Sequence, residues 1–333
     1  MNPPFITVIL PIRNEAAYIK RCLDAILQQD YPFEQMEVLV VDGLSTDDTR
    51  QVVKQMAQAD KRICLLDNPK KIVPTAMNIG IRQAQGEFII RVDGHTIIAP
   101  DYVRKCVAAL LTSEADCVGG PMVACGQTPF GEAVALATSH PLGVGGSKFH
   151  YATEIMEAES VYLGAYRREV FERIGYFDEE MVRNQDDEFN YRLRANGGKI
   201  VLDPAIQSVY YNRSTVRTLW RQYFQYGLWK VRVAQKLPSQ MRLRHFVPGG
   251  FVITLIGGGL LAPFNKMIRF GWLMILVVYT LLTLIVSLKI ALQTQQQHFK
   301  HLLLAFPILH LAYGSGFIWG LMRFAKHWRS NNG

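Results

Sequence analysis

Short apolar runs alternate with helical patterns over the first third of the chain, and this alternation limits the possible folds more than any other feature. Four runs are typical of buried strands: Ile6–Leu10, Val38–Val41, Ile63–Leu66 and Phe88–Val92. Strands that alternate with helices form a parallel sheet that is covered on both faces. The sequence therefore predicts an α/β domain, in which ligands bind beyond the carboxyl ends of the strands.

Local signals predict where the first two helices begin. Pro11 is expected to stop the first strand, and Asn14 is expected to cap a helix that begins near Glu15. Ser45 or Thr46 is expected to cap the second helix.

The first strand-to-helix turn argues against two common nucleotide-binding folds. It reads PIRNEA, which lacks G-x-G-x-x-G, and no G-x-x-x-x-G-K-[ST] follows it. NAD-binding and P-loop interpretations therefore lose most of their support. The strands end instead in polar residues, with RNE after the first strand, Asp42 after the second, and Asp93 and His95 after the fourth. Carboxylates at several strand ends around one metal ion suit a nucleoside diphosphate.

Asp93 and His95 flank Gly94 within the stretch GEFIIRVDGHT. A carboxylate and an imidazole at this spacing suit a hard divalent ion, which usually binds one or two protein ligands together with phosphate oxygens. The glycine between them allows a bulky anion to approach the backbone. The alternative is an ordinary Asp-Gly turn with no ligand.

Charge is divided unevenly along the chain. All 28 acidic residues lie at or before Asp203, whereas 15 of the 36 basic residues follow it. Because these basic residues are interleaved with long apolar runs, they favour an anionic membrane surface over nucleic acid as the partner. The five cysteines form no C-x-x-C pair, and the opening MNPPFITVILP does not have the pattern of a signal peptide. The front domain is therefore expected in the cytoplasm, with reduced cysteines.

Three apolar stretches occupy residues 246–264, 270–288 and 302–322. The second has no charged residue and the third is nearly as apolar, so both are predicted to be transmembrane helices. The first is interrupted by glycines and prolines and is expected to be a re-entrant segment or a short span. Two crossings would keep most of the basic residues, and the C-terminus, on the cytoplasmic side.

The segment 213–245 precedes these stretches and carries apolar residues at helical spacing, with arginines on other faces. This pattern predicts a basic amphipathic helix that lies in the lipid headgroup layer. A core helix is the alternative.

Four motifs occur in an order that is typical of one enzyme family: ILPIRNE, VVDGLSTDDT, PTAMNIGIRQAQGEFIIRVDGHT and GAYRREVFERIGYFDEEMVRNQDDEFNYRLR. They resemble the motifs of family 2 inverting glycosyltransferases with the GT-A fold. The variant DGH and the run RSTVRTLWRQYFQYGLWK resemble in particular the succinoglycan-biosynthesis (ExoA-like) membrane glycosyltransferases. The resemblance covers residues 6–230.

The resemblance implies an α/β GT-A nucleotide-sugar-binding domain with a mixed, mostly parallel sheet at 1–212. Amphipathic interfacial helices would follow at 213–245, and a membrane region at 246–333. The implied activity is transfer of a single hexose from a nucleotide-sugar to a lipid-linked saccharide in exopolysaccharide or cell-surface glycan synthesis. UDP-glucose is the expected donor, and Mg²⁺ or Mn²⁺ the expected cofactor. The protein would be a multi-pass protein of the cytoplasmic (inner) membrane, with membrane lipids but no nucleic acid among its partners.

The resemblance also implies roles for individual residues. Asp93 and His95 would hold the metal ion, and Asp42 would accept hydrogen bonds from the uracil or ribose. Glu15 would help to shape the nucleoside pocket, although it is also placed to interact with a helix dipole. The full set of implied donor-site residues is Pro11, Arg13, Glu15, Asp42, Lys71, Asn78 and Asp93.

A second polar cluster, NQDDE at 184–188, precedes the apolar positions of a predicted helix. The family commonly has a Glu-Asp pair here, and its Asp deprotonates the acceptor hydroxyl. This chain has Gln185 and Asp186, so Asp186 is the predicted base. The alternative is that the carboxylates only interact favourably with the helix dipole.

Two other functions remain open from the sequence. A polyprenyl-phosphate glycosyltransferase would act on an acceptor oxygen that is already ionised and would not need Asp186. A catalytically silent scaffold would only recruit other enzymes to the membrane. Turnover of a nucleotide-sugar would distinguish an enzyme from a scaffold.

Overall fold

The computed structural model describes residues 3–294 and 298–327. Its strands are β1 (Ile6–Ile12), β2 (Met36–Asp42), β3 (Ile63–Asp67), β4 (Phe88–Arg91), β5 (Thr96–Ile98), β6 (Cys117–Gly120), β7 (Met122–Cys125), β8 (Met156–Glu157), β9 (Tyr162–Arg167), β10 (Ile200–Leu202) and β11 (Ser208–Tyr211). Its α-helices are α1 (Ile19–Leu27), α2 (Thr49–Ala59), α3 (Val73–Gln83), α4 (Tyr102–Thr112), α5 (Pro129–Thr138), α6 (Pro141–Val144), α7 (Glu169–Ile174), α8 (Gln185–Ala195), α9 (Val216–Lys236), α10 (Val247–Leu261), α11 (Lys266–Gln293) and α12 (Phe299–Arg323).

The chain forms two compact units. The first contains residues 1–123 and 148–210, and the second contains residues 124–147 and 211–333. The segment 124–147 lies within the 1–212 domain of the sequence prediction, but it belongs to the second unit. Its helix α5 buries an alanine-rich face in one apolar cluster with α12, and this packing accounts for the difference.

The first unit is built on an eight-stranded sheet of order β3-β2-β1-β4-β9-β6-β10-β8. The pairs β1–β2, β2–β3, β1–β4 and β6–β10 are parallel. The pairs β4–β9, β6–β9 and β8–β10 are antiparallel. A smaller sheet has the order β5-β11-β7. The predicted mixed, mostly parallel sheet is therefore confirmed.

Alternate residues of β1 supply the two cores of the first unit, because successive side chains of a strand point to opposite faces. Val8 and Leu10 join one apolar cluster with residues of α1, α2 and α4. Ile9 joins the other, with residues of α3, α7 and α8. All seven residues of β1 are buried. Helices thus cover both faces of the sheet, as the alternating pattern predicts.

The expected stop at Pro11 is wrong, because β1 continues to Ile12 and remains paired with β2. The Ile9 carbonyl accepts a hydrogen bond from the Val92 N–H on the β4 side, and the β1–β4 pairing ends at Ile9 and Arg91. Pro11 lies two residues further along and faces the same side. Its missing N–H therefore removes no bond from the ladder.

The expected cap at Asn14 is also wrong, because α1 begins at Ile19 rather than near Glu15. Asn14 has a φ of 55° and adopts the left-handed conformation. Its side-chain oxygen accepts a hydrogen bond from the Thr46 N–H at 2.8 Å. Asn14 therefore joins the loops that follow β1 and β2.

The second helix likewise begins later than predicted. Its first residue is Thr49, and neither Ser45 nor Thr46 caps it. The Ser45 hydroxyl donates instead to Asp42, at the end of β2. The polar residues of VVDGLSTDDT therefore hold the loop together.

In the second unit, α9 and α12 approach closely along a line of glycines. A Cβ on Gly227 would lie 1.9 Å from the Tyr313 carbonyl oxygen, and one on Gly316 would lie 2.0 Å from the Phe224 carbonyl oxygen. Gly320, one turn beyond Gly316, meets α9 in the same way. Small residues spaced by four allow two helix backbones to come into contact.

The second half of α9 is buried on every side, including Lys230 and Arg232. The Gln235 amide donates to the Phe324 carbonyl oxygen at 2.9 Å. This half therefore has the burial of a core helix, which is one of the two alternatives for 213–245. In the first half of α9, Leu219 is buried and the arginines are exposed, so an interfacial position remains a prediction for that half and for residues 237–245.

Among the described residues, two helices are long and apolar enough to cross a membrane, judged by length and composition. They are α11, with 28 residues, and α12, with 25 residues. They contain the predicted stretches 270–288 and 302–322. The predicted membrane region, 246–333, extends at its C-terminal end beyond the described residues.

Most of 246–264 forms one uninterrupted helix of 15 residues, α10, and its role as a re-entrant segment or short span remains a prediction. Pro248 lies in its first turn, where proline is tolerated. Gly258 packs against the Trp272 indole of α11, and a Cβ there would lie 2.5 Å from the ring. At about 22 Å, α10 is shorter than the hydrocarbon layer of a bilayer.

The glycine contact between α9 and α12 predicts a specific loss of stability. Gly316→Ala places a methyl group against the α9 backbone and should destabilise the protein by about 1–3 kcal/mol. Gly257→Ala is the matched control, since nothing lies within 4 Å of a Cβ at that helical position. Thermal unfolding in detergent should show a lower midpoint for Gly316→Ala only. Equal midpoints for the two variants would contradict the close packing of these helices.

Candidate active site at the carboxyl edge of the sheet

The predicted site residues converge because β1, β2 and β4 are parallel neighbours and end at the same edge of the sheet. Asp42 ends β2 and lies in register with Ile12 at the end of β1. Asp93 and His95 follow β4 on a tight turn. A Cβ on Gly94 would lie 2.7 Å from Cγ2 of Ile12, so glycine allows this turn to pack against the end of β1.

A buried arginine connects two of the predicted acids. Arg91, the last residue of β4, donates from Nε to Oδ1 of Asp93 at 2.9 Å and from Nη1 to Oδ1 of Asp186. The Arg91 side chain is 8% exposed. Burial alone would lower the pKa of Arg91, but the charges of Asp186 and Asp93 raise it above its ordinary value. The guanidinium is therefore a permanent positive charge between the two carboxylates.

Asp186 lies in the first turn of α8, after Asn184, which has a φ of 57°. Removal from water raises the pKa of the Asp186 carboxyl group to about 6, against the opposing effect of Arg91, while Asp93 and Asp187 add to the increase. The side chain is still 38% exposed, so a hydroxyl group can reach it. A carboxylate with this pKa is suited to act as a general base near neutral pH.

His95 contacts Glu15, from the loop after β1. The distance from His95 Nδ1 to Glu15 Oε1 is 3.1 Å, and the Tyr210 ring meets the imidazole edge-on at 5.7 Å. An ionised carboxylate can only accept, so Nδ1 carries the proton and the lone pair of a neutral ring is on Nε2. Glu15 therefore orients His95. It is not a helix-dipole partner, because α1 begins four residues later.

Asp42 is enclosed by protein donors, and its side chain is 0% exposed. It accepts hydrogen bonds from the Ser45 N–H and hydroxyl and from Arg50 Nη1, the last at 2.7 Å. Arg50 also donates to Asp67 at 2.7 Å. Asp42 therefore organises the loop after β2, and a direct contact with a nucleoside would require one of these donors to be displaced.

Arg13 and Lys71 both lie against Gly43, the residue after Asp42. A Cβ on Gly43 would lie 3.3 Å from the Arg13 side chain and 3.3 Å from the Lys71 Cα. Both residues are exposed at the same edge of the sheet, whereas Pro11 is buried within β1. The structure thus gathers Arg13 and Lys71 beside the loop that follows β2.

Asn78 does not join the other predicted residues. It is buried in α3, where its amide nitrogen donates to the Phe177 carbonyl oxygen and its amide oxygen accepts from the Phe177 N–H, both at 2.9 Å. The amide nitrogen also contacts Glu179 at 3.1 Å. These contacts give Asn78 a structural role, because they fix α3 to the turn after α7.

Arg91 is the residue that the sequence analysis overlooks. It stands in the run FIIRV, where the three preceding residues are apolar and fully buried. A charged residue inside a buried strand requires a buried partner. The sequence therefore contained a signal for an acid beside Arg91, but not the identity of that acid, because Asp186 is distant along the chain.

The family model "Glycosyl transferase family 2" matches residues 7–175, which is about half of the chain. The chain belongs to glycosyltransferase family 2. The predicted family is therefore confirmed, and with it the assignment as an enzyme. The match includes the edge loops with Glu15, Asp42, Asp93 and His95, and ends before Asp186.

Two relatives of the family 2 chain align over almost their whole length. The succinoglycan biosynthesis protein ExoA of Rhizobium meliloti is 30% identical over 96% of both chains. A protein of Methanococcus voltae is 29% identical over 96% of this chain and 98% of its own length. Its name describes a dolichyl N-acetyl-alpha-D-glucosaminyl phosphate 3-beta-D-2,3-diacetamido-2,3-dideoxy-beta-D-glucuronosyltransferase.

Solved structures support the fold. The mannosyltransferase PcManGT of Pyrobaculum calidifontis, in complex with GDP-Man and Mn²⁺, has a TM-score of 0.58 and 22% identity, covering 91% of this chain and 86% of its own. Staphylococcus aureus TarS 1-349 in complex with UDP-GlcNAc has a TM-score of 0.52 and 18% identity, covering 98% and 91%. The predicted GT-A fold of this family 2 enzyme is confirmed.

The raised pKa of Asp186 predicts how transfer by this family 2 enzyme depends on pH. If Asp186 accepts the acceptor proton, only its ionised form is active, so kcat/KM should fall as the pH decreases through about 6. The measurement is a pH–rate profile, with circular dichroism at each pH to confirm that the protein stays folded. A rate that remains constant down to pH 5 would exclude Asp186 as a base with this pKa.

Proposed function

We propose that this family 2 enzyme is an inverting, metal-dependent glycosyltransferase that moves one hexose from a nucleotide-sugar to a lipid-linked saccharide. One observation carries the proposal: Arg91 holds the carboxylates of Asp93 and Asp186 together at the edge of the sheet. Asp186, the proposed base for the acceptor hydroxyl, and Asp93, the proposed carboxylate on the diphosphate side of the donor, therefore lie in the same site.

In the proposed reaction, Asp186 accepts the proton of the acceptor hydroxyl. The acceptor oxygen forms a bond to the anomeric carbon of the donor sugar. The bond from that carbon to the phosphate oxygen breaks, and its electron pair leaves with the nucleoside diphosphate. A single displacement of this kind inverts the anomeric centre and needs no covalent intermediate.

Asp93 and His95 have the chemistry required to hold a divalent ion. Among the described residues, no group of three or more His, Cys, Asp or Glu side chains forms a metal site. Asp93 and His95 would supply two ligands, which fits Mg²⁺ or Mn²⁺ bound jointly with diphosphate oxygens. The contact from Glu15 makes the imidazole of His95 a better ligand. A bound divalent ion supplies positive charge that stabilises the departing diphosphate.

The comparisons support a nucleotide-sugar donor and a lipid-linked acceptor. GT-A neighbours have been solved with GDP-Man and with UDP-GlcNAc. One full-length relative takes part in succinoglycan biosynthesis, and the name of the other includes a dolichyl phosphate-linked sugar. Exopolysaccharide or cell-surface glycan synthesis is the process proposed for this chain, with UDP-glucose as the expected donor.

We also propose a location in the cytoplasmic membrane, with α11 and α12 as the two crossings. Both helices are flanked by basic residues, with Lys266 and Arg269 at the start of α11 and Arg323 and Lys326 at the end of α12. Two crossings place all four on one side, and the positive-inside rule assigns that side to the cytoplasm.

The function is tested by incubating enriched membranes with a panel of labelled nucleotide-sugars and extracting the lipid fraction. The parent enzyme should label a lipid-linked product from one donor. Asp186→Asn should reduce transfer by about 10²- to 10⁴-fold, because the base is lost and the donor site is kept. Asp187→Asn is the matched control and should retain most of the activity. Full activity in Asp186→Asn would favour a polyprenyl-phosphate acceptor, and no transfer from any donor would favour a scaffold.

Metal dependence is tested separately. EDTA should abolish transfer by the parent enzyme, and added Mn²⁺ or Mg²⁺ should restore it. Asp93→Asn should be inactive at every metal concentration, with an unchanged circular dichroism spectrum. Undiminished transfer in EDTA would exclude the proposed role of Asp93 and His95.

The two-crossing topology predicts which residues are accessible from outside the cell. Single cysteines at Gln296 and Ser330, positions outside the described residues, are introduced into a variant that lacks the five native cysteines. A membrane-impermeant thiol reagent should label Gln296→Cys in intact cells and should leave Ser330→Cys unlabelled. The opposite pattern would exclude two crossings with a cytoplasmic C-terminus.

A further inference from the structure

Arg91 is the only charged residue of β4, and the other three residues of this strand are apolar. Phe88, Ile89 and Ile90 are fully buried, and Arg91 is 7% exposed. A buried guanidinium is costly unless its charge and its N–H groups are satisfied. Here the carboxylates of Asp93 and Asp186 balance the charge and accept hydrogen bonds from Nε and Nη1. The charge at this position is therefore explained by the two acids.

The geometry of the contact restricts both acids. A guanidinium is planar and rigid, and it cannot lose its proton in a protein. Arg91 reaches Asp93 through Nε and Asp186 through Nη1, so the two carboxylates are held by two donors of one rigid, planar group. Asp93 is on the turn directly after β4, whereas Asp186 is in the first turn of α8. Arg91 thus sets the position of the α8 carboxylate relative to the sheet.

We infer that Arg91 is a positioning residue for transfer, which holds Asp186 at a fixed distance from Asp93. This inference rests on the proposed function, in which Asp186 is the base. Because Arg91 occupies Oδ1 of Asp186, the acceptor proton passes to Oδ2. That atom lies beside the Gln185 side chain, whose Nε2 is 3.4 Å away.

Replacing Arg91 with lysine tests the role of the rigid, planar guanidinium. The lysine ammonium is a single point charge on a flexible stem, so it preserves the charge without holding two carboxylates in one plane. Arg91→Gln removes the charge as well. Arg91→Lys should therefore reduce kcat by about 10-fold, and Arg91→Gln by about 100-fold or more, within the range that misplacing a catalytic group costs. The donor KM should stay within about threefold of the parent value in both variants.

Arg167→Gln is the matched structural control. Arg167 lies on β9 opposite Phe88 of β4, and it donates to the main-chain carbonyls of Ala115 and Leu110. Its loss should lower the thermal unfolding midpoint and leave kcat close to the parent value. Arg167→Gln should therefore lower only the unfolding midpoint, whereas a variant that displaces the base should lower kcat.

The experiment measures kcat, donor KM and the unfolding midpoint for the parent, Arg91→Lys, Arg91→Gln, Asp186→Asn and the Arg91→Gln/Asp186→Asn double variant. If Arg91 acts through Asp186, the double variant should be no slower than Asp186→Asn alone. A parent-like kcat in Arg91→Gln would overturn the inference, as would losses that multiply in the double variant. If Arg91→Gln does not fold, Arg91→Lys decides by the same criterion. Parent-like transfer by Asp186→Asn would instead overturn the proposed function.

Discussion

The parallel pairing of β1 with β2 on one side and β4 on the other is the constraint on which the rest of the first unit depends. Parallel strands place their carboxyl ends at the same edge of a sheet. The loops after β1, β2 and β4 are far apart in the sequence, but they therefore begin at one edge. The full burial of β1 makes the register strict, since a slip of one residue would exchange its two apolar faces. The position of Asp42 relative to Asp93 is therefore a consequence of packing in the core.

Polar and charged side chains at this edge are held in three separate sets. Asp42 is held by Ser45 and Arg50, Asp93 and Asp186 by Arg91, and His95 by Glu15. Each set restrains its side chains before any substrate binds, so less side-chain conformational entropy is lost on binding. The cost is that Asp42 faces protein donors, so it does not present its carboxylate to solvent.

Features that depend on local sequence patterns were predicted correctly, whereas features that depend on contacts between distant parts of the chain were not. Strand runs such as Phe88–Val92 were predicted within one or two residues, because buried parallel strands have continuous apolar sequences. Asn14 and Ser45 carry good capping side chains, but Asn14 accepts from Thr46 in the loop after β2 and Ser45 donates to Asp42 at the end of β2, so neither caps a helix. Asn78 was grouped with the donor site because it lies in a family motif, whereas its amide is used by Phe177, whose distance along the chain hides the contact. Within 246–264, Gly258 accommodates the Trp272 indole of another helix, a contact that the local sequence does not reveal.

The glycine line between α9 and α12 has a consequence for how the second unit is assembled during synthesis. α9 leaves the ribosome well before α12, yet its second half is covered on every side only in the finished structure. α5 also depends on α12 for its apolar partner. Until α12 has been made, a nascent chain therefore carries two incompletely covered helices, one with Lys230 and Arg232, which are buried in the folded protein. Translation that stops before α12 would therefore leave α5 and α9 incompletely covered, and the cell's quality control should recognise such helices.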